Sequence, residues 1–286
     1  MQFLGTGAAE LIPNPFCTCE LCNYARTHAE ERRTRTSFSY DAHTMIDFGP
    51  ETIQNCLRRG VSLAQLDDIL YTHAHEDHFL FANMNVITMA FPEYVHPFRA
   101  HLSQEAYDGL CTVRDAVYSA TNGHNDLFGA VKNGYYEFCP HKPFETFTLG
   151  DKTVFTVRGS HNGEYANERS MHYRITENGK TLLYALDGGL YSPESLEALA
   201  GVPLDILIMD ETFGGCELPM DSGHLNAGHF VLQLENLIRI GAVTENTKVY
   251  AAHINHKSLW RHAQHQAYFD THAPVKVTVA RDGMEI

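Results

Sequence analysis

Residues 71–78, Tyr-Thr-His-Ala-His-Glu-Asp-His, place three imidazoles and an aspartate within six positions, directly after the apolar Ile69-Leu70-Tyr71. The apolar residues read as a buried parallel strand over Asp68 to Thr72, and in α/β architectures ligands collect at the C-terminal ends of such strands. Burying so many polar groups is unfavourable unless a positive charge offsets their desolvation. The stretch therefore calls for a metal ion. His73 and His75, two apart, point the same way while the chain is extended. A turn after His75 brings Asp77 and His78 back toward the same centre, so one loop can serve two adjacent metals.

The same arrangement, an apolar strand running into polar residues, recurs along the chain. Strands are expected at Thr153 to Arg158 before Ser160-His161-Asn162, and at Thr181 to Ala185 before Leu186-Asp187-Gly188. Two more are expected at Leu204 to Met209 before Asp210-Glu211-Thr212, and at Val249 to Ala252 before His253-Ile254-Asn255-His256. Helices are expected at Glu51 to Arg59, Pro193 to Ala200, Ala227 to Ile240 and Ser258 to Phe269. Asp47, at the end of a strand over Thr44 to Phe48, reads as a turn cap before it reads as a partner of a ligand. From Phe79 to Ala130 the sequence is helical in flavour, clearest at Ser103 to Ala120, where Ala106, Leu110, Val113 and Val117 recur at helical spacing. His96, His101 and His124 lie there without ligand-like companions and read as surface or satisfied core histidines. With no linker or repeat to divide it, the chain is expected to be one domain over 1–286, with a helical insertion around 79–130 that serves as a lid or a substrate-selecting segment.

Composition narrows the functions. A net charge of −14 counts against a nucleic-acid partner, because phosphate backbones need clustered Lys and Arg. No uncharged apolar run approaches the roughly 18 residues needed to cross a bilayer, and the amino terminus lacks a basic region followed by an apolar one, so a cytoplasmic location is expected. The basic run Glu31-Arg32-Arg33-Thr34-Arg35 reads as a solvated surface segment, and Gly5-Thr6-Gly7 as a turn at a strand end. Seven cysteines in such a chain read as metal ligands or free thiols before disulfides. Cys17, Cys19 and Cys22 can converge on one tetrahedral zinc, but such a site needs a fourth ligand from elsewhere.

Taken in order, His73-x-His75-x-Asp77-His78, His161, Asp187 and His253 resemble the dinuclear metal motifs of the metallo-β-lactamase superfamily. The resemblance implies an αββα sandwich, a four-layer fold in which two mixed β-sheets lie between helices. It also implies that His73, His75 and His161 hold one metal, that Asp77, His78 and His253 hold the other, and that Asp187 bridges them. Cys17-x-Cys19-x-x-Cys22 after a Gly-Thr-Gly strand, with His256 three residues beyond His253, is similar to the PhnP-type phosphodiesterases. That similarity implies a structural zinc with Cys3His ligation, stapling the amino-terminal loop to the loop after Ala252. It further implies a catalytic histidine at His224, with His229 the less favoured choice. The Phe79-Leu80-Phe81 segment, where the superfamily commonly has a small glycine-containing stretch, departs from the pattern.

The expected cofactors are two divalent ions (zinc, manganese or iron) at the catalytic site and one structural zinc. A hydroxide shared by the two ions would attack a small phosphodiester, cyclic by resemblance, with His224 and Asp77 as the catalytic residues. The alternatives are a thioester or other ester hydrolase, or a PqqB-like accessory protein without hydrolytic activity. The expected partner is a small-molecule substrate, with the assembly left between monomer and homodimer.

Overall fold

The computed structural model describes all 286 residues. Two mixed sheets face one another. The first, in the order β1-β2-β3-β4-β5-β6, consists of β1 (Gln2–Gly5), β2 (Ser37–Ser39), β3 (Thr44–Ile46), β4 (Asp68–Leu70), β5 (Phe98–Ser103) and β6 (Tyr136–His141). The second runs β13-β12-β11-β10-β9-β8-β7, with β7 (Thr146–Leu149), β8 (Lys152–Asn162), β9 (Arg169–Glu177), β10 (Lys180–Ala185), β11 (Ile206–Asp210), β12 (Lys248–Ala252) and β13 (Val277–Val279). Each sheet has an antiparallel part and a parallel part, the latter comprising β3 to β6 in one and β10 to β13 in the other. The strands of the parallel parts carry apolar runs such as Ile-Leu-Ile-Met in β11, as sheets covered on both faces require.

Helices cover the outer faces: α1 (Glu20–Thr27), α2 (Thr52–Arg59), α3 (Phe81–Met84), α4 (Gln104–Ala120), α5 (Gly129–Lys132), α6 (Pro193–Leu199), α7 (Ala227–Arg239) and α8 (His262–His272). Three apolar clusters record the layering. Phe3, Phe38, Ile46, Leu70, Tyr173 and Tyr184 fill the space between the sheets. Leu110 of α4 and Cys56 of α2 pack on the outer face of the first sheet, and Phe230 and Leu234 of α7 with Phe269 of α8 on that of the second. The αββα sandwich expected from the resemblance is the fold observed. No helix is long and apolar enough to cross a membrane.

Two expectations need correcting, and one element was not foreseen. The 79–130 segment is not a wholly helical insertion, because it contains β5, an interior strand of the first sheet paired with β4 and β6. Phe98, Ala100 and Leu102 are buried in the core while Arg99 and His101 bond Asp68, a polar alternation that masks the strand. Arg33 is not solvated: only 4% exposed, it donates from Nη1 to Thr6 Oγ1 and Ala280 O, and its Nη2 meets His262 Nδ1. The cysteine segment runs into a helix, α1, capped by the side chain of Cys19.

Parallel pairing positions the chemistry. Ala185 pairs with Met209 and Met209 with Ala251, so β10, β11 and β12 end level and deliver Asp187, Asp210 and His253 side by side. In the other sheet, β3 and β4 end together at Ile46 and Leu70, immediately before Asp47 and the histidine loop. Met171 N donates to Thr72 O across the gap between the sheets.

Candidate metal centre

The seven histidine and aspartate positions meet where the strands of both sheets end. His73, His75 and His161 present ligand atoms to one point, and Asp77, His78, Asp187 and His253 to a second. His75 Nδ1 lies 2.9 Å from His73 Nε2 and 3.3 Å from His161 Nε2. Nitrogens arranged tetrahedrally around zinc at about 2.0–2.1 Å stand about 3.3 Å apart, so these spacings fit ligands of one ion. Asp187 reaches both groups: its Oδ2 is 3.2 Å from His73 Nε2 and 2.8 Å from His78 Nε2, and its Oδ1 is 2.5 Å from His253 Nε2. Asp77 Oδ2 lies 3.2 Å from His78 Nε2. His78 Nε2 and Asp187 Oδ1 are buried without a well-directed hydrogen bond, as expected of atoms aimed at a shared cation.

The partners of the opposite ring nitrogens decide which lone pairs are free. Thr72 Oγ1 gives its hydrogen to Asp47 Oδ1, so it accepts from His73 Nδ1 at 3.1 Å. Thr36 Oγ1 gives its hydrogen to Gly7 O and accepts from His253 Nδ1 at 2.9 Å. His78 Nδ1 donates to Asp47 Oδ2 at 2.8 Å. Each ring is thereby oriented with Nε2 toward the centre, the usual support for a ligating histidine. Asp47 is thus no turn cap. Fully buried, it accepts from both the amide and the hydroxyl of Thr72 and aligns His78.

Asp47, Asp187 and His253 have φ values of 61°, 54° and 67°. The left-handed region is unfavourable for residues with a Cβ, and three such residues at neighbouring strand ends mark strain concentrated at the site. Gly49 permits the close approach of the ligand loop, since a Cβ there would overlap the Asp77 carbonyl.

Electrostatics follow from burial and three carboxylates. Burial holds His73 well below its usual range and His161 at about 4, so both are neutral donors of a lone pair. Burial opposes a charge on His78 too, but Asp187, Asp47 and Asp77 outweigh it and raise it well above the usual value. Despite burial, neighbouring histidines keep Asp77 and Asp187 ionised.

His224 joins the same cavity, of about 120 Å³, whose walls include His75, Asp77, His161, Asp187, Phe213 and His253. Its Nδ1 is bonded to Asp210 Oδ2 at 3.1 Å, and its ring centroid lies 4.4 Å from that of His161. Burial works against its charge, yet Asp210 and then Asp187 raise it to about 9. Asp210 also accepts the amides of Thr212 and Leu225 and is fully buried. As a strand-end aspartate it was visible in the sequence, but its partnership with His224 was not. His229, by contrast, lies in the first turn of α7, where its amide is capped by Asn226.

A second cluster holds Cys17, Cys19, Cys22 and His256. Cys19 Sγ lies 3.7 Å from His256 Nδ1, close to the about 3.6 Å expected between sulfur and nitrogen at tetrahedral angles around zinc. All four cysteine and histidine positions suit a closed structural site, and burial pushes the Cys22 thiol up to about 12, so that its ionisation needs a cation beside it.

The sequence profile of the beta-lactamase superfamily domain matches residues 43–254. No curated protein sequence matches the chain. Among solved structures, a diphosphatase of the PhnP family superposes with a TM-score of 0.71 at 22% identity, covering 100% of this chain and 97% of that one. Zinc-bound PqqB from Methylobacterium extorquens gives 0.71 at 19% identity, covering 99% and 98%, and the short form of human tRNase Z gives 0.60 at 15%, covering 99% and 98%. At these identities the likeness is one of fold.

Proposed function

This chain belongs to the metallo-β-lactamase superfamily, and we propose that it is a metal-dependent hydrolase whose substrate is a small phosphodiester. The observation that carries the reading is the gathering of seven candidate ligand residues into two adjoining groups, five of which line one small cavity together with His224. His73, His75 and His161 would hold one divalent ion and Asp77, His78 and His253 a second, zinc, manganese or iron, with Asp187 in reach of both groups. Such ions supply Lewis-acid stabilisation of negative charge and acidify water for attack.

The chain's own residues do the rest. Asp210 fixes the ring of His224 through Nδ1, leaving Nε2 without a protein partner on a residue that lines the cavity. As water adds to phosphorus and the bond to the leaving oxygen breaks, His224 Nε2 gives its proton to that oxygen, and the proton the water loses on forming the new P–O bond passes to solvent as the product monoester ionises. Asp77, ionised and on the same wall, accepts a hydrogen bond from the attacking water and so orients it. Phe213, edge-on to His224 at 5.7 Å, lines the cavity beside the imidazole and gives that wall an apolar surface.

A panel of linear and cyclic phosphodiesters, thioesters and β-lactams tests the reading, with zinc, manganese and iron supplied in turn to wild type and to His224→Ala. Phosphodiester turnover that falls on the order of 10²-fold in His224→Ala is the expected result. Thioester turnover without any phosphodiester turnover would replace the substrate class, and no turnover with any metal would leave a binding protein of this fold.

A further inference from the structure

The loop between β8 and β9, residues 163–168, supplies no ligand, yet it grips the histidine loop from outside. Glu168 is fully buried, and its Oε1 accepts the amide of Ala74, the residue between His73 and His75, at 2.8 Å. Its Oε2 accepts the amide of Tyr165 at 3.0 Å, and its own amide donates back to Tyr165 O at 3.1 Å, so the loop is closed on itself. The start of β9 extends the grip: Met171 N donates to Thr72 O at 2.7 Å and Tyr173 OH to Tyr71 O at 2.6 Å. Residues 71, 72 and 74 are thus all held by one hairpin from the opposite sheet. The other side of the loop rests on α4, where the Tyr165 ring lies so close over Gly109 that a Cβ there would overlap it. At the tip, Glu164 Oε2 stands 3.8 Å from His75 Nε2, the nitrogen opposite the one that faces His73 and His161.

We propose that Glu168 is the positioning residue for the His73, His75 and His161 half of the centre, and that Tyr165 seated on Gly109 is the latch that keeps it in place. A carboxyl acceptor on the amide between two ligands holds the His73–Ala74 peptide plane in place and so restrains ψ of His73 and φ of Ala74, from which the two ligand side chains set out. The segment 79–130 then acts as a buttress for the ligand loop through α4. The inference rests on the metal-site reading and is independent of the substrate.

Metal titration of the chelator-stripped full chain, with zinc and with manganese, provides the test, alongside elemental analysis and turnover at limiting and saturating metal. Wild type should take up two ions at the histidine and aspartate site and one zinc at the cysteines. Tyr165→Ala should weaken one of the two ions about tenfold, and Glu168→Ala the same ion up to about 100-fold, with the second ion and the cysteine zinc unchanged. Glu168→Gln, whose single amide oxygen can accept from Ala74 but whose NH2 then faces the Tyr165 amide, should recover only part of the lost affinity. In each variant kcat should return at saturating metal while KM stays constant. Wild-type affinity for both ions in Tyr165→Ala and Glu168→Ala would overturn the proposal, as would a uniform loss of all three metals with a lowered Tm, the mark of a merely structural role. If Glu168→Ala does not fold, Tyr165→Ala, a change at a partly exposed side chain, decides by the same criteria. A wild type that takes up no ion at the histidine and aspartate site would overturn the metal centre and the latch together.

Discussion

The two ligand clusters are built by opposite means. At the catalytic candidate the ligands are largely buried, three neighbouring residues adopt left-handed backbone, and carboxylates or hydroxyls direct His73, His78 and His253 from behind. The cysteine cluster has no carboxylate among its four candidate ligands and leaves Cys17 and Cys19 partly exposed. Around it the same two segments are tied by other means: Arg261 stacks on Tyr24 at 3.8 Å, Glu31 accepts the amide of His262, and Glu10 accepts from Asn255. One cluster is strained and over-supported, which suits chemistry. The other is redundant with its surroundings, which suits a staple.

The contrast can be broken most sharply at Asp187. Asp187→Ala removes the carboxylate shared by both groups, and turnover should fall on the order of 10³-fold or more, with catalytic metal lost and cysteine zinc retained. Equal loss at both clusters, by elemental analysis, would erase the distinction. Asp47→Ala leaves every ligand in place but frees His78, and should weaken metal binding or turnover by about 10- to 100-fold in a titration. Cys19→Ser, in which serine still caps α1, should remove one zinc equivalent and lower Tm by roughly 5 °C or more, while turnover stays within about tenfold of wild type. Unchanged zinc content would dismiss the staple.

The smallest effect concerns acid. Burial holds His172 at about 4, and burial together with the charge of Arg33 holds His262 at about 3, against about 6.5 unfolded. Both are neutral in the folded chain and take up a proton on unfolding. Their contribution is therefore fully present above pH about 6.5 and is lost as pH falls toward 4 and then 3. Tm should decline over that window, and His262→Asn, which can still offer Arg33 an acceptor, should flatten the slope. An identical slope would remove His262 from the acid response.

Six of the seven ligands were legible because each follows a strand of a parallel part, which announces itself by an apolar run, whereas His161 lies within the antiparallel strand β8. What escaped was made by contacts distant in sequence. Asp47 and His78 are separated by 31 positions, Asp210 and His224 by 14, and Ala74 and Glu168 by 94. No local pattern distinguishes an aspartate that caps a turn from one that aligns a histidine. β5 was hidden for a different reason: Arg99 and His101 face a buried Asp68, so polar side chains point inward where a sheet ordinarily places apolar ones. The burial of Arg33 among Thr6, Ala280 and His262 likewise depends on the last strand of the chain having folded.

The ligand order along the chain also has a consequence for biosynthesis. Cys17, Cys19 and Cys22 leave the ribosome long before His256, and His73 long before His253, yet each early group needs its late member to complete a coordination sphere. Because residues 253 to 256 carry the missing ligand of both clusters, neither can hold its full metal complement on a nascent chain lacking the β12 loop. A product truncated before residue 253 lacks a ligand of the group with Asp77 and His78 and of the cysteine cluster, and should take up less metal than the full chain at both.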